Sequence, residues 1–349
     1  MKKNGKRLLK ITALSLAGLI TITVIAAGFL LYGRIASMRS IKRTGDDLYT
    51  MNYHQDYHLD KALAAGIKSE EDLLHFICDD LLFGYRIDAN FSKYGCAAFT
   101  APTPDGKYLA GRNFDLGGGS DTLCLYTHPK GGYASISTVS TDMIRVGKGS
   151  KAATTSFRGR AALLAAPYMG MDGMNEKGLI ASLLDTDNTD ETHMVSDKPD
   201  ITVTMAIRVL LDRAATVEEA IELLGQYDIH TAHSCTQHIF IADANGNAAV
   251  AEWHNGEMKT VRYPVCTNFR MSDLSISGDY SGQCERFDVL DSALKEKPEQ
   301  TAEESMKLLK SVRQKNTEWS VVYNLTDFSA DYVVNKKYDN VYHINPKDF

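Results

Sequence analysis

The sequence predicts an α+β domain, antiparallel sheets with helices packed outside them, running from Cys96 to Phe349. Two observations carry this. From Cys96 onward, strand-like runs flank turn signals: "CAAFTA" and "KYLAGRNF" around "PTPDG", and "HIFIADANGNAAVAEW" around Asn245-Gly246. Strands then come first, helices next and strands again, an order that suits sheets covered by helices.

Each element follows in turn. "MKKNGKRLLK" carries five basic residues and no acidic one, and residues 11–32 then run 22 residues without a charge. That length suits a transmembrane segment, and the basic flank favours a cytoplasmic N-terminus. Residues 1–33 are therefore expected to be a signal-anchor at the cell membrane, with the rest of the chain on the extracytoplasmic side. A cleaved signal peptide is the rival reading. Residues 34–95 are expected to be a stalk and pro-segment, an appendage to the domain at 96–349. Within them, 68–85 reads as an amphipathic helix with Ser69 as N-cap and a stripe of Leu73, Leu74, Ile77, Leu81 and Leu82. Further strands are expected at "LCLYTH", "YASISTVS", "GLIASLL", "EWSVVYNL" and "DYVVNK". Helices are expected near 202–214, at 216–226 behind Thr216, over Glu285–Leu294, and after Thr301.

Charge narrows the partners. The net charge is −6; residues 1–95 hold 13 of the 38 Lys and Arg and 10 of the 44 Asp and Glu, leaving 96–349 at about −9. Such a surface repels phosphates, so nucleic acid is not an expected partner. The six cysteines form no C-x-x-C pair, which gives no sign of a zinc or thioredoxin motif. "HTAHSCTQH" (230–238) is read as a connecting loop before a strand rather than a metal site, and His54/His58 as solvated surface. Met169, Met171 and Met174 are read as core fillers.

Cys96 is the candidate nucleophile. A free thiol has a pKa near 8.5 and needs a base or a neighbouring positive charge. A hairpin closing at Asp105-Gly106 returns Arg112 and Asp115 to its side, although Arg–Asp at this spacing is more often a surface ion pair.

"CAAFTAPTPDGKYLAGRNFD" resembles the start of a mature choloylglycine hydrolase, the family of bile salt hydrolases and penicillin V acylases, and is also similar to acid ceramidase-like amidases. "DGMNEKGL" (172–179), "TVEEAIELL", "HIFIADANGNAAVAEW", "CTNF" (266–269) and "ERF" (285–287) resemble later family stretches in the same order. The resemblance covers nearly all of 96–349 and none of 1–95. It implies a four-layer αββα N-terminal-nucleophile sandwich that hydrolyses linear amide C–N bonds without a cofactor. Cys96 would be the nucleophile and, through its own α-amine, the base, once the chain cuts itself between Gly95 and Cys96. Asp115 would hold that amine, Arg112 would lower the thiol pKa, Asn268 would donate to the oxyanion, and Arg286 would support the site. Asp185 stands where relatives commonly have Asn, at a position linked to the oxyanion hole. The expected partner is a small-molecule acyl amide, with membrane contact through residues 11–32 and homo-oligomerisation left open. The alternatives are an acyltransferase on the same fold and a non-catalytic surface binding protein.

Overall fold

A computed structural model describes residues 31–89, 95–117, 119–146, 150–151, 154–186, 192–231 and 236–349, together with Gly18, Thr21 and Gly28. The predicted membrane segment at 11–32 lies outside the described residues except for those three, Leu31 and Tyr32. Among the described residues no helix is long and apolar enough to cross a membrane.

Helix α1 (31–40) leads into a hairpin, β1 (Lys42–Gly45) and β2 (Leu48–Tyr53). Helices α2 (Leu59–Ala64) and α3 (Glu70–Phe76) come next, then β3 (Ile87–Ala89). The hairpin β4 (Gly95–Pro102) and β5 (Tyr108–Asp115) follows, then β6 (Thr122–Thr127), β7 (Ser135–Ser140), β8 (Ile144–Val146), β9 (Ser150–Lys151) and helix α4 (Phe157–Ala162). Strands β10 (Asp172–Asn175), β11 (Ile180–Asp185) and β12 (Asp200–Thr202) precede helices α5 (Val203–Arg213) and α6 (Val217–Leu224). Then come β13 (Asp228–His230), β14 (Gln237–Ala242), β15 (Ala248–His254), β16 (Glu257–Val261) and β17 (Val265–Cys266). Helices α7 (Glu285–Glu296) and α8 (Ala302–Ser311), then β18 (Thr317–Asn324), β19 (Ser329–Val334) and β20 (Tyr342–Ile344), end the chain.

Two sheets dominate. One has nine strands in the order β1-β2-β6-β7-β10-β11-β14-β15-β16, and the other six, β17-β4-β5-β18-β19-β20. They stack face to face: Thr138 Oγ1 on β7 meets the Tyr323 and Tyr332 hydroxyls of β18 and β19 at 3.0 and 2.9 Å. Helices α5 and α6 lie on β10, β11, β14 and β15, while α7 and α8 lie on β4, β5, β17 and β18. The layers are therefore helix, sheet, sheet, helix, as the resemblance implied. Strands covered on both faces lose the period-two alternation, and every residue of β5 after Tyr108 is buried. The expected helices at 202–214, 216–226, 285–294 and after Thr301 all form. Thr216 accepts from the Glu219 N–H, and Thr301 and Glu304 make a full reciprocal capping box. Met169, Met171 and Met174 are buried in the core as expected.

Two expectations are corrected. Helix 68–85 stops being α-helical at Phe76 and widens into a single π-helical turn over Ile77–Leu81. The wider turn brings Cys78 into the buried stripe beside Ile77 and Leu81. The reading of 34–95 as a stalk does not hold either. β2 pairs in parallel with β6 from Leu48↔Thr122 to Tyr53↔Thr127, the one parallel pairing in the nine-stranded sheet. Leu48, Met51, Tyr53 and Tyr57 are buried in the common core. The segment is built into the domain because its apolar residues have no other surface to cover them.

Candidate active site

The β4–β5 hairpin makes the site. Its register pairs Gly95 with Asp115, Cys96 with Phe114 and Ala98 with Arg112. Side chains alternate along each strand, so Cys96, Ala98, Arg112 and Phe114 share the face toward the nine-stranded sheet. Arg112 is thus the diagonal neighbour of Cys96, within reach of a long side chain. Its Nη2 lies 3.1 Å from Cys96 Sγ and donates to the Leu183 carbonyl of β11 at 2.7 Å. The expected Cys–Arg contact is therefore present.

Asp115 belongs to the opposite face and does not reach the thiol. It sits against the Gly95 α-carbon: a Cβ added there would lie 3.2 Å from Asp115 Oδ2. That carboxylate pairs with Arg286 Nη1 at 2.7 Å and accepts from Thr317 Oγ1 at 2.5 Å. Arg286, in the first turn of α7, places its other nitrogen on Asn268 Oδ1. Asn268 Oδ1 also accepts from the Cys96 backbone N–H at 2.7 Å. The group in direct contact with the Cys96 backbone nitrogen is thus Asn268, with Asp115 one step behind through Arg286. The Asn268 amide nitrogen donates to the Asp185 carbonyl. A substrate oxygen would have to share or replace that acceptor to be bound as an oxyanion. The Asp185 carboxylate is buried and accepts from Gln237 Nε2 at 3.0 Å.

One site residue escaped sequence reasoning. Asp172 pairs with Arg112 Nε at 2.8 Å, both side chains being fully buried. It also accepts from Trp319 Nε1 at 3.0 Å and Tyr323 Oη at 2.5 Å. Asp172 fixes the guanidinium that faces the thiol. Its signal was the first residue of "DGMNEKGL", noted as a motif but given no role.

Arg112 does not set the thiol's ionisation alone. Burial pushes the Cys96 thiol well above its ordinary range, Arg112 draws it down, and Asp115 and Asp185 push it up again. With Cys96 fully buried, burial prevails and the intact chain holds a neutral thiol. Cys78, Cys96, Cys124, Cys266 and Cys284 are all free thiols, while Cys235 lies outside the described residues.

Beside the site a second buried cluster ties β14 and β15 to the Asn268 segment. Within "HTAHSCTQH", His230 pairs with Asp200 at 2.8 Å and residues 232–235 lie outside the described residues. Among the described residues no cluster fit to hold a metal occurs. His238 Nδ1 pairs with Glu252 Oε1 at 2.9 Å, and His238 Nε2 lies 3.5 Å from Cys266 Sγ. Burial alone would lower the imidazole, but Cys266 and Glu252 outweigh it and push it up from 6.5 to about 10. For Glu252, burial raises the carboxyl, and hydrogen bonding and charge from His238 bring it below its ordinary 4.5. His238 therefore contributes stability that is full below pH 6.5 and lost as pH rises through about 10. The Glu252 contribution is present above pH 4.5 and lost as pH falls. The melting-temperature gap between wild type and His238→Gln is expected to be largest between pH 4.5 and 6.5. Thermal melts across pH check this; a gap that widens toward pH 10 contradicts it.

Comparisons with known proteins bear on the family and the fold. Residues 161–342, just over half of the chain, match the family described as acyl-coenzyme A:6-aminopenicillanic acid acyl-transferase. That span includes Asp172, Asp185, Asn268 and Arg286, while Cys96, Arg112 and Asp115 lie upstream of it. A penicillin V acylase from Pectobacterium atrosepticum is 30% identical over 110 residues. The match covers 28% of this chain and 29% of that relative's length. Among solved structures, a conjugated bile acid hydrolase from Clostridium perfringens superposes with a TM-score of 0.55 at 16% identity, over 73% of this chain and 93% of the other. A penicillin V acylase from Agrobacterium tumefaciens does so with a TM-score of 0.50 at 18% identity, over 72% and 86%. At such identities the superpositions speak for the fold alone, and they agree with the four-layer sandwich of helix, sheet, sheet and helix. With the family match spanning this much of its length, the chain belongs to the acyl-coenzyme A:6-aminopenicillanic acid acyl-transferase family.

Proposed function

We propose that the protein hydrolyses linear amide C–N bonds of small acyl amides, using Cys96 exposed by self-cleavage at Gly95–Cys96. The observation that carries this is the paired environment of one residue. The Cys96 sulfur lies on Arg112, and its backbone nitrogen donates to Asn268. Once freed, that nitrogen is an α-amine with a pKa of about 7.7–8.0, suited to take the thiol proton at working pH.

Maturation runs on the same atoms. Cys96 Sγ attacks the Gly95 carbonyl carbon; the C–S bond forms, the C–N bond breaks, and the thiol proton ends on the departing nitrogen. Water then opens the thioester, leaving a Gly95 carboxylate and a free thiol. In turnover the amine takes the thiol proton, and sulfur attacks the substrate carbonyl. The amine proton passes to the leaving amine, and water releases the acid. Asn268 binds the oxyanion; losing one such donor typically costs about 10²–10³ in rate.

A second reading has one observation behind it: the matched family is described as an acyl-transferase. There an amine takes the place of water. Incubating processed protein with a panel of acyl amides, with and without added amines, decides between them. Free acid together with a Cys96 thioester supports hydrolysis; new amides support transfer. A chain that begins at Cys96 yet forms no acyl-enzyme with any of the panel overturns both.

A further inference from the structure

The Asn268 segment is held at two points by one buried ion pair. Upstream, Cys266 pairs with Ala98 on β4, and its sulfur lies 3.5 Å from His238 Nε2. Downstream, the Met271 and Ser272 N–H groups donate to Glu252 Oε1 and Oε2 at 2.9 and 2.8 Å. His238 and Glu252 join these anchors across 2.9 Å, with both side chains at most 1% exposed. Asn268 lies between the anchors and carries the contacts to the Cys96 nitrogen, Arg286 and the Asp185 carbonyl. The hydrogen bonds of Cys96 run to Asn268, Leu183 and Arg112 rather than to either anchor.

We propose that His238 and Glu252 are positioning residues that set where the Asn268 amide meets the Cys96 nitrogen, with Cys266 as the link. A buried pair of this kind is a poor device for stability alone, because desolvation offsets much of its attraction. It does fix geometry, since both members must keep their partners in an interior without water. A misplacement of about 1 Å in such a constellation can cost about 10²-fold in rate. Moving Asn268 also changes the hydrogen bond to the nitrogen that serves as base. The ionisation of Cys96, which already feels Arg112, Asp115, Asp185 and Arg286, then moves as well.

The inference rests on the N-terminal-nucleophile reading, so the test separates the two. In processed protein, the pH dependence of Cys96 alkylation by iodoacetamide is followed by mass in wild type, Cys266→Ala, Cys266→Ser and Glu252→Gln. A shift of about half a unit or more in Cys266→Ala, largely restored in Cys266→Ser, is expected. With a substrate in hand, kcat should fall about 10-fold or more while KM stays within about 3-fold. Variants that melt earlier but keep the wild-type alkylation profile show a structural role only and overturn the proposal. Should Glu252→Gln fail to fold, the two Cys266 variants decide, because Cys266 is small and Ser keeps a polar group there. If wild type turns over no substrate, the functional reading falls while the alkylation profiles still decide the positioning role.

Discussion

Purified wild-type protein is expected to contain a chain that begins at Cys96, and Cys96→Ala is expected to remain a single chain beginning upstream of Gly95. The same substitution should abolish turnover, by about 10⁴-fold or more, since removing a nucleophile leaves only binding and oxyanion contributions. The geometry gives the reason. Gly95 stands opposite Asp115 with little room to spare: a Cβ would lie 3.2 Å from its Oδ2, 3.3 Å from its Cβ and 3.7 Å from Arg286 Nη2. The peptide to be cut therefore runs against the carboxylate–guanidinium pair, and the attacking sulfur lies under Arg112 on the other face. Intact mass with N-terminal sequencing checks both chains. If wild type and Cys96→Ala both stay whole, there is no α-amine and no base. A non-catalytic binding role then becomes the better account. If both are cut at Gly95–Cys96, an external protease does the work and self-cleavage is ruled out, although an amidase could still result.

The thiol–guanidinium contact was legible in the sequence because a hairpin closing at Asp105-Gly106 fixes which residues face each other. Gly106 takes the φ of +78° that such a turn needs. The same arithmetic placed Asp115 nearby but could not tell that it faces away from the sulfur; that follows from the pleat and from the pairing of Gly95 with Asp115. Asp172 was missed because its partner is on the other sheet, and sheet stacking leaves no local spacing to read. Asn268 was placed by resemblance alone, and its orientation, oxygen toward the Cys96 nitrogen, is set by Arg286 and Asp185 from two further elements. The largest misreading was of 34–95 as a stalk. β1 and β2 are short, and β2 is buried at four of its six positions without a period of two, so no alternation marks it as a strand. Its pairing partner β6 is some 70 residues away, beyond any local pattern.

The 1–95 fragment is expected to stay bound to the Cys96 chain after the cut. β2 lies between β1 and β6, so its departure would strip a paired edge from the nine-stranded sheet. It would also uncover Leu48, Met51, Tyr53 and Tyr57, each 5% exposed or less. At about 1.5–3 kcal/mol per such side chain, these four alone contribute roughly 6–12 kcal/mol. A micromolar dissociation constant corresponds to about 8 kcal/mol. Specific bonds add to this. Tyr53 Oη donates to the Leu164 carbonyl at 2.7 Å, Tyr57 Oη to Asp212 Oδ2 at 2.6 Å, and Asn335 Nδ2 to Asp47 Oδ2 at 3.0 Å. Losing Tyr57 would also leave the buried Arg208–Asp212 pair with one partner fewer. Self-cleavage is therefore expected to leave the domain attached to the residues upstream of Gly95, because β1, β2 and α2 retain it without a peptide bond. In native size-exclusion chromatography the two fragments should co-elute and separate only in denaturing guanidinium chloride. A Cys96 chain eluting alone under native conditions would show that these strands are a disposable pro-segment.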